Sequence, residues 1–183
     1  MRDPNNLIWF HRNSQAGQGR RHRQPTLNRA VVVLTAAAWQ AYVQDTTAAI
    51  LVSLEVPLGH QGHPLFSLIR AATRTASGRF NTPNARNTLM LFANVGFDPS
   101  PNWAFGIGAP VRAYTTADVR REIDGWLDVR HSIAHGSPLP AIDLVSGRTQ
   151  SGPNLHRSDG ERCIEFFERL VEVTAAAADH HFP

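Results

Sequence analysis

The chain has no lysine: all 18 of its basic residues are arginine. Every cationic contact it makes is therefore a planar guanidinium that can fork onto phosphate, never a compact ammonium. A GC-rich genome produces the same bias, and the abundant alanine points the same way. There is one cysteine, Cys163, so an internal disulfide is excluded. No apolar run approaches the roughly 18 residues that cross a bilayer. Val31 to Trp39 comes nearest, and it is short and alanine-rich. The opening Met1-Arg2-Asp3-Pro4 carries no apolar core of a secretion signal, so a cytoplasmic protein without membrane contact is the expectation. Strand signals are weak throughout, and no internal repeat is visible.

What is present suits a single globular domain. The 183 residues are 42% hydrophobic and 18% charged, enough apolar material for a buried core. The net charge of +3 is compatible with a nucleic-acid partner without requiring one.

Residues 1–24 read as an arm, with Arg20, Arg21 and Arg23 close together. Such an arm either touches phosphates or is a solvated terminus, and Leu7-Ile8-Trp9-Phe10 within it calls for a docking place. Residues 25–183 read as a helical domain. Pro25 to about Leu54 forms a long helix with Leu27, Val31, Leu34, Ala38, Tyr42 and Ala49 as its stripe. A shorter helix over Pro64 to Ala76 places Leu65, Leu68, Ile69 and Ala72 on one face. Thr82-Pro83 reads as an N-cap and first turn, leading into Leu89, Met90, Phe92 and Ala93 and stopping at Gly96. Phe97 to Tyr114 is too rich in proline and glycine for regular structure, with Trp103 and Phe105 anchoring it. Its Gly106-Ile107-Gly108 resembles a phosphate loop in glycines alone, without the Lys-Ser/Thr or the preceding strand. Thr115-Thr116-Ala117-Asp118 is a capping box opening a helix with Val119, Ile123, Trp126, Leu127, Ile133 and Ala134, closed by Gly136 and Pro138. After a loop over 137–157, Ser158-Asp159-Gly160-Glu161 is a second capping box. The last helix carries Ile164, Phe167, Leu170, Val171 and Thr174, with Cys163 in an apolar role. The expected fold is all-α: a bundle of four to five helices with long irregular loops.

The first of these capping boxes leads into Trp126-Leu127-Asp128-Val129-Arg130-His131-Ser132-Ile133-Ala134-His135-Gly136. This stretch resembles the motif of the HEPN superfamily of all-α nucleases: Arg, a polar residue, three more residues, then His, near the end of a late helix. Arg130, His131 and His135 match it in type and spacing, and Ile-Ala-His-Gly is its usual ending. Leu34 to Val43 resembles the first helix of the RiboL-PSP-HEPN-like branch, as does the Asn81-to-Gly96 helix followed by a tryptophan-bearing loop. The likeness spans roughly residues 26–178. One departure is Gln40, where that branch often has an acidic residue; Asp45 is a weak substitute.

The resemblance implies a metal-independent endoribonuclease that leaves a 2′,3′-cyclic phosphate and a 5′-hydroxyl, in a bacterial toxin or defence effector. Arg130 and His135 are the expected catalytic residues and His131 a supporting one, with no metal or cofactor. The residue types suit that chemistry. RNA brings its own nucleophile, the 2′-hydroxyl. A histidine can take or give a proton near neutral pH, and an arginine stabilises charge on the phosphorane. Positions 130 and 135 lie about 140° apart around a helix, so they do not stack on one face. One histidine also cannot easily be base and acid together. A homodimer that pairs two such helices answers both points, and HEPN nucleases are thought to work this way. RNA is then the substrate, and an antitoxin or other partner protein would fit the same reading.

Plainer readings stand beside these. Arg130 can be salt-bridged to Asp124 or Asp128, His135 can be a helix C-terminal cap, and His131 a surface histidine. His131 and His135 share a face as a helical zinc pair does, with His60, His63, His156, Asp179, His180 and His181 as third ligands by type only. A non-catalytic HEPN module that binds RNA, a nucleotide or a partner protein is the alternative to cleavage. Arg70, Arg74, Arg79 and Arg86 line an RNA track or form a solvated face; Trp39 and Tyr42 belong to the core rather than to a base-stacking platform.

Overall fold

The computed structural model describes residues 24–55, 64–150 and 152–182. It is an all-α bundle with five helices among the described residues. In chain order these are α1 (Gln24–Glu55), α2 (Pro64–Gly78), α3 (Ala85–Ala93), α4 (Thr116–Ala134) and α5 (Arg157–His181). The two long connections contain more order than their composition suggests. A 3₁₀ turn at Ser100–Asn102 precedes an antiparallel hairpin of β1 (Phe105–Ile107) and β2 (Arg112–Tyr114), in which Phe105 pairs with Tyr114. A second hairpin joins β3 (Gly147–Thr149) to β4 (Gly152–Asn154). The Gly106-Ile107-Gly108 stretch thus lies in the β1 strand and the turn after it. The basic arm and its Leu7–Phe10 segment, along with His60 and His63, fall outside the described residues.

The helical part of the chain divides into two compact units, and α1, α4 and α5 each contribute residues to both. The first comprises residues up to Ala38 and Arg121–Arg169. Its core holds Val31, Val32 and Ala36 of α1, Ile123, Trp126, Leu127 and Val129 of α4, and Cys163, Ile164, Phe166 and Phe167 of α5, all buried. The connection after α4 is buried at Leu139, Leu144, Val145 and Leu155. It comes close to α4 at Gly125, where an added Cβ would stand 2.8 Å from Leu144 Cδ1. The mid-helix glycine gives up helix propensity so that this segment can lie against the helix. Asn28 ties α1 to the same connection, its Nδ2 donating to the Leu155 carbonyl at 2.8 Å.

The second unit comprises Trp39–Arg120 and Leu170–Pro183. Trp39, Phe92, Phe97 and Trp103 are buried in it, with Phe105 and Tyr114 of the first hairpin. Trp103 Nε1 donates to Thr174 Oγ1 at 3.0 Å and Trp39 Nε1 to the Pro83 carbonyl at 3.2 Å, so each indole N–H taken from water finds an acceptor. Gln40 donates from Nε2 to the Phe80 carbonyl at 2.8 Å and Tyr42 donates from its hydroxyl to the Val171 carbonyl at 3.4 Å.

Several local expectations shift. The buried stripe of α1 is Asn28, Val31, Val32, Thr35, Ala36, Trp39, Val43, Thr47, Ile50 and Leu51, whereas Leu34 is 39% exposed and Ala49 is exposed. Buried Asn28, Thr35 and Thr47 mix polar residues into this face, so apolar spacing picks out a neighbouring one. In α2 the buried residues are Phe66 and Thr73, while Leu65, Leu68, Ile69 and Ala72 are exposed. The N-cap of α3 is Asn84, not Thr82: the Asn84 side chain accepts from Asn87 N–H at 2.8 Å, which moves the start to Ala85. The helix ends at Ala93, and Gly96 turns the chain at φ 73°. Its Met90 and Ala93 are exposed, with Leu91 and Phe92 buried instead. At α5 the cap lies two residues earlier than expected. Asp159 accepts from His156 N–H at 2.8 Å, so the box runs from His156 to Asp159.

Candidate functional site

The site begins with the start of α4. Thr115 N–H donates to Asp118 Oδ2 at 3.0 Å, and Asp118 N–H donates back to Thr115 Oγ1 at 3.2 Å. This reciprocal pair satisfies two of the free amides of the first turn and fixes the helix start as the sequence implies. Its rotational phase then follows from burial. Ile123, Trp126, Leu127 and Val129 go inward, which leaves Asp124, Asp128 and His131 exposed and Arg130 half-buried at the edge of the apolar face.

The helix end is built as carefully as its start. Ser137 N–H donates to the Ser132 carbonyl at 2.9 Å and Gly136 N–H to the Ile133 carbonyl at 3.3 Å. With Gly136 at φ 64°, this is a Schellman motif in which His135 is the C-cap and Gly136 the left-handed residue after it. The glycine of the Ile-Ala-His-Gly ending thus has a backbone reason: it turns the chain directly after the histidine. A residue with a Cβ would be strained there.

The structure brings His131 and His135 together. Both are exposed, and their ring centroids lie 4.3 Å apart at 50°. Arg130 is not joined to them: no hydrogen bond or ion pair links its guanidinium to either imidazole among the described residues. Nor does it pair with Asp124 or Asp128, as the plainer reading had it. The guanidinium has no ion-pair partner among the described residues. His135 does sit at a helix C-terminus, so its capping position is real, and that does not compete with a second role. The two imidazoles lie in one unit with Arg130, at a helix end facing solvent.

The comparisons add nothing to this geometry: no protein-family model, no curated protein and no solved structure matches the chain.

The first unit also holds an ion pair that apolar spacing does not reveal. Arg162 of α5 donates from Nε to Glu122 Oε1 at 3.0 Å and from Nη2 to Oε2 at 2.9 Å. The Glu122 side chain is 4% exposed, and Arg162 also reaches the Asp143 carbonyl at 3.4 Å. A two-pronged contact of this kind locks two helices and the intervening connection in register. Its only sequence signal is an acid on the apolar side of α4. Asp159 does similar work at the start of α5, accepting from Ser146 N–H at 3.2 Å as well as from the Ser146 hydroxyl at 2.6 Å.

Cys163 is fully buried. Burial pushes its thiol well above the usual range and the Glu122 carboxylate pushes the same way, against opposing contributions from the Thr35 hydroxyl and Arg162. Among the described residues no group of three His, Cys, Asp or Glu side chains is placed to hold a metal ion, so His131 and His135 have no third ligand there. Gln40, at the position where an acid was of interest, is committed to the Phe80 carbonyl. Asp45 is exposed on α1.

Proposed function

We propose that this protein is a metal-independent endoribonuclease of the HEPN type, cytoplasmic and acting as a bacterial toxin or defence effector. The observation that carries the reading is the end of α4: an Arg130 guanidinium with no ion-pair partner among the described residues, followed by two exposed imidazoles in ring contact. No carboxylate stands three or four positions from Arg130 along α4; Asp124 and Asp128 lie six and two positions away and face elsewhere on the helix. A guanidinium without an ion-pair partner, on a helix end that also carries two surface histidines, suits an anionic ligand. No helix of the described residues is long and apolar enough to cross a membrane.

The chemistry runs as follows. One imidazole takes the proton of an RNA 2′-hydroxyl as its oxygen attacks the adjacent phosphorus. Arg130 forks onto the non-bridging oxygens as charge builds on the phosphorane. The phosphorus–5′-oxygen bond breaks, and a second imidazole protonates the departing oxygen. The products are a 2′,3′-cyclic phosphate and a 5′-hydroxyl, with no change in oxidation state. His135 is the principal catalytic residue with Arg130, and His131 supports them. Arg130 and His135 of one chain point about 140° apart along an ideal helix. A two-fold homodimer that faces two α4 ends supplies a base, an acid and two guanidinium groups in one composite site.

The test is purified protein on cellular RNA in excess chelator. Cleavage that survives chelation and disappears in Arg130→Ala and His135→Ala is expected. RNA binding without cleavage would leave the non-catalytic module instead, and stoichiometric zinc in the purified protein would point to a metal hydrolase.

A further inference from the structure

His131 lies in the last turn of α4 and His135 is the C-cap. Four positions apart, their side chains rise from one helix face, one above the other. Both are exposed, and the ring centroids stand 4.3 Å apart. Neither imidazole makes a hydrogen bond or ion pair among the described residues, so no protein group there competes for its nitrogen lone pair. Two imidazoles that share one ion, at about 2.0–2.1 Å per nitrogen, bring their centroids to about 4.5–5.2 Å. A small rotation of two exposed rings reaches that spacing, and such rotations are fast. The C-terminal end of a helix also carries partial negative charge, which favours a cation there. Arg130 is the opposing charge, and its guanidinium makes no hydrogen bond with either ring among the described residues.

We propose that His131 and His135 chelate a late first-row divalent ion, zinc, nickel or copper, and that this ion silences the RNA-cleaving site. Imidazole nitrogen suits these ions, whereas magnesium and calcium seek oxygen. A coordinated nitrogen has no free lone pair, so it can neither take a proton from a 2′-hydroxyl nor carry one to the leaving oxygen. Water completes the coordination sphere. Structural zinc has four protein ligands; an ion held by two exchanges readily, and the purified protein need not retain it. The chelate stands on the geometry of α4, and the silencing rests on the nuclease reading.

The experiment is calorimetric titration of zinc chloride into the metal-stripped full chain, beside RNA cleavage at the same zinc concentrations. Zinc should bind saturably, and cleavage should fall as the pair fills and return when chelator is added. Removing even an outer-shell partner of a metal costs about ten- to a hundredfold in affinity, so His131→Gln and His135→Gln should each weaken zinc by at least roughly tenfold. Both positions are exposed, so neither variant threatens the core. Replacing the exposed His180 and His181 by Gln should leave that binding unchanged. Copper(II) in place of zinc should show two nitrogen ligands by electron paramagnetic resonance, and one in either variant. Arg130→Ala should keep its zinc binding although its cleavage is expected to be lost, so the chelate is judged without a working nuclease. The proposal is overturned if zinc does not bind saturably, if either histidine variant binds it like the parent, or if saturating zinc leaves cleavage unchanged or raises it. A parent that never cleaves RNA sinks the nuclease reading, while the binding data still decide the chelate.

Discussion

Charged side chains in the first unit are used in two opposite ways. Glu122 and Arg162 are paired and partly buried, whereas Arg130, on the helix end that carries two imidazoles, has no carboxylate partner among the described residues. The first arrangement concerns stability. Arg162→Ala leaves the Glu122 carboxylate buried and unpaired, and a loss of about 3–5 kcal/mol in urea unfolding is expected. Replacing both partners with apolar residues of similar volume should recover much of it. Cys163 gives a second residue-scale prediction. Its thiol titrates higher folded than unfolded, so the folded state holds the proton more tightly. This contribution is fully present below the unfolded thiol value of about 8.5 and is lost as pH rises above it. Stability measured from neutral to alkaline pH should fall, and Cys163→Ala should flatten that fall. The native protein should also resist thiol alkylation that proceeds freely in urea.

Among the elements, the two ends of α4 hold the candidate residues in place. Gly136→Ala puts a Cβ where φ is 64° and should cost about 1 kcal/mol. Because His135 is the C-cap, the same variant should depress RNA cleavage more than Ser137→Ala does. Both α4 ends were legible in the sequence, because Thr115–Asp118 and Gly136 act through local backbone geometry. The box at α5 was misplaced by two residues because Asp159 also serves Ser146 and His156, contacts set by tertiary folding. The stripe of α1 slipped because its buried face includes Asn28, Thr35 and Thr47. Asn28 has a distant partner that the sequence does not disclose, the Leu155 carbonyl. The hairpins went unseen since three-residue strands carry too little alternation to register.

For the molecule as a whole, the all-α bundle follows from helical periodicity, and the site does so in part. The pairing of His131 with His135 follows from four-residue spacing. That Arg130 does not pair with Asp124 or Asp128 follows from spacing too, since residues six and two positions away do not face it on a helix. A composite site requires two chains, so the specific cleavage rate should fall on dilution in step with dissociation seen by light scattering. A monomer that cleaves at full rate would contradict the dimer. The central claim, that Arg130 and His135 cleave RNA without metal, is tested most directly by incubating wild-type protein, Arg130→Ala and His135→Ala with one RNA in excess chelator and analysing the fragment ends. The account predicts 2′,3′-cyclic phosphate and 5′-hydroxyl ends from the wild type and intact RNA from both variants, each folded by circular dichroism. Equal cleavage by the variants, or cleavage abolished by the chelator, would contradict it.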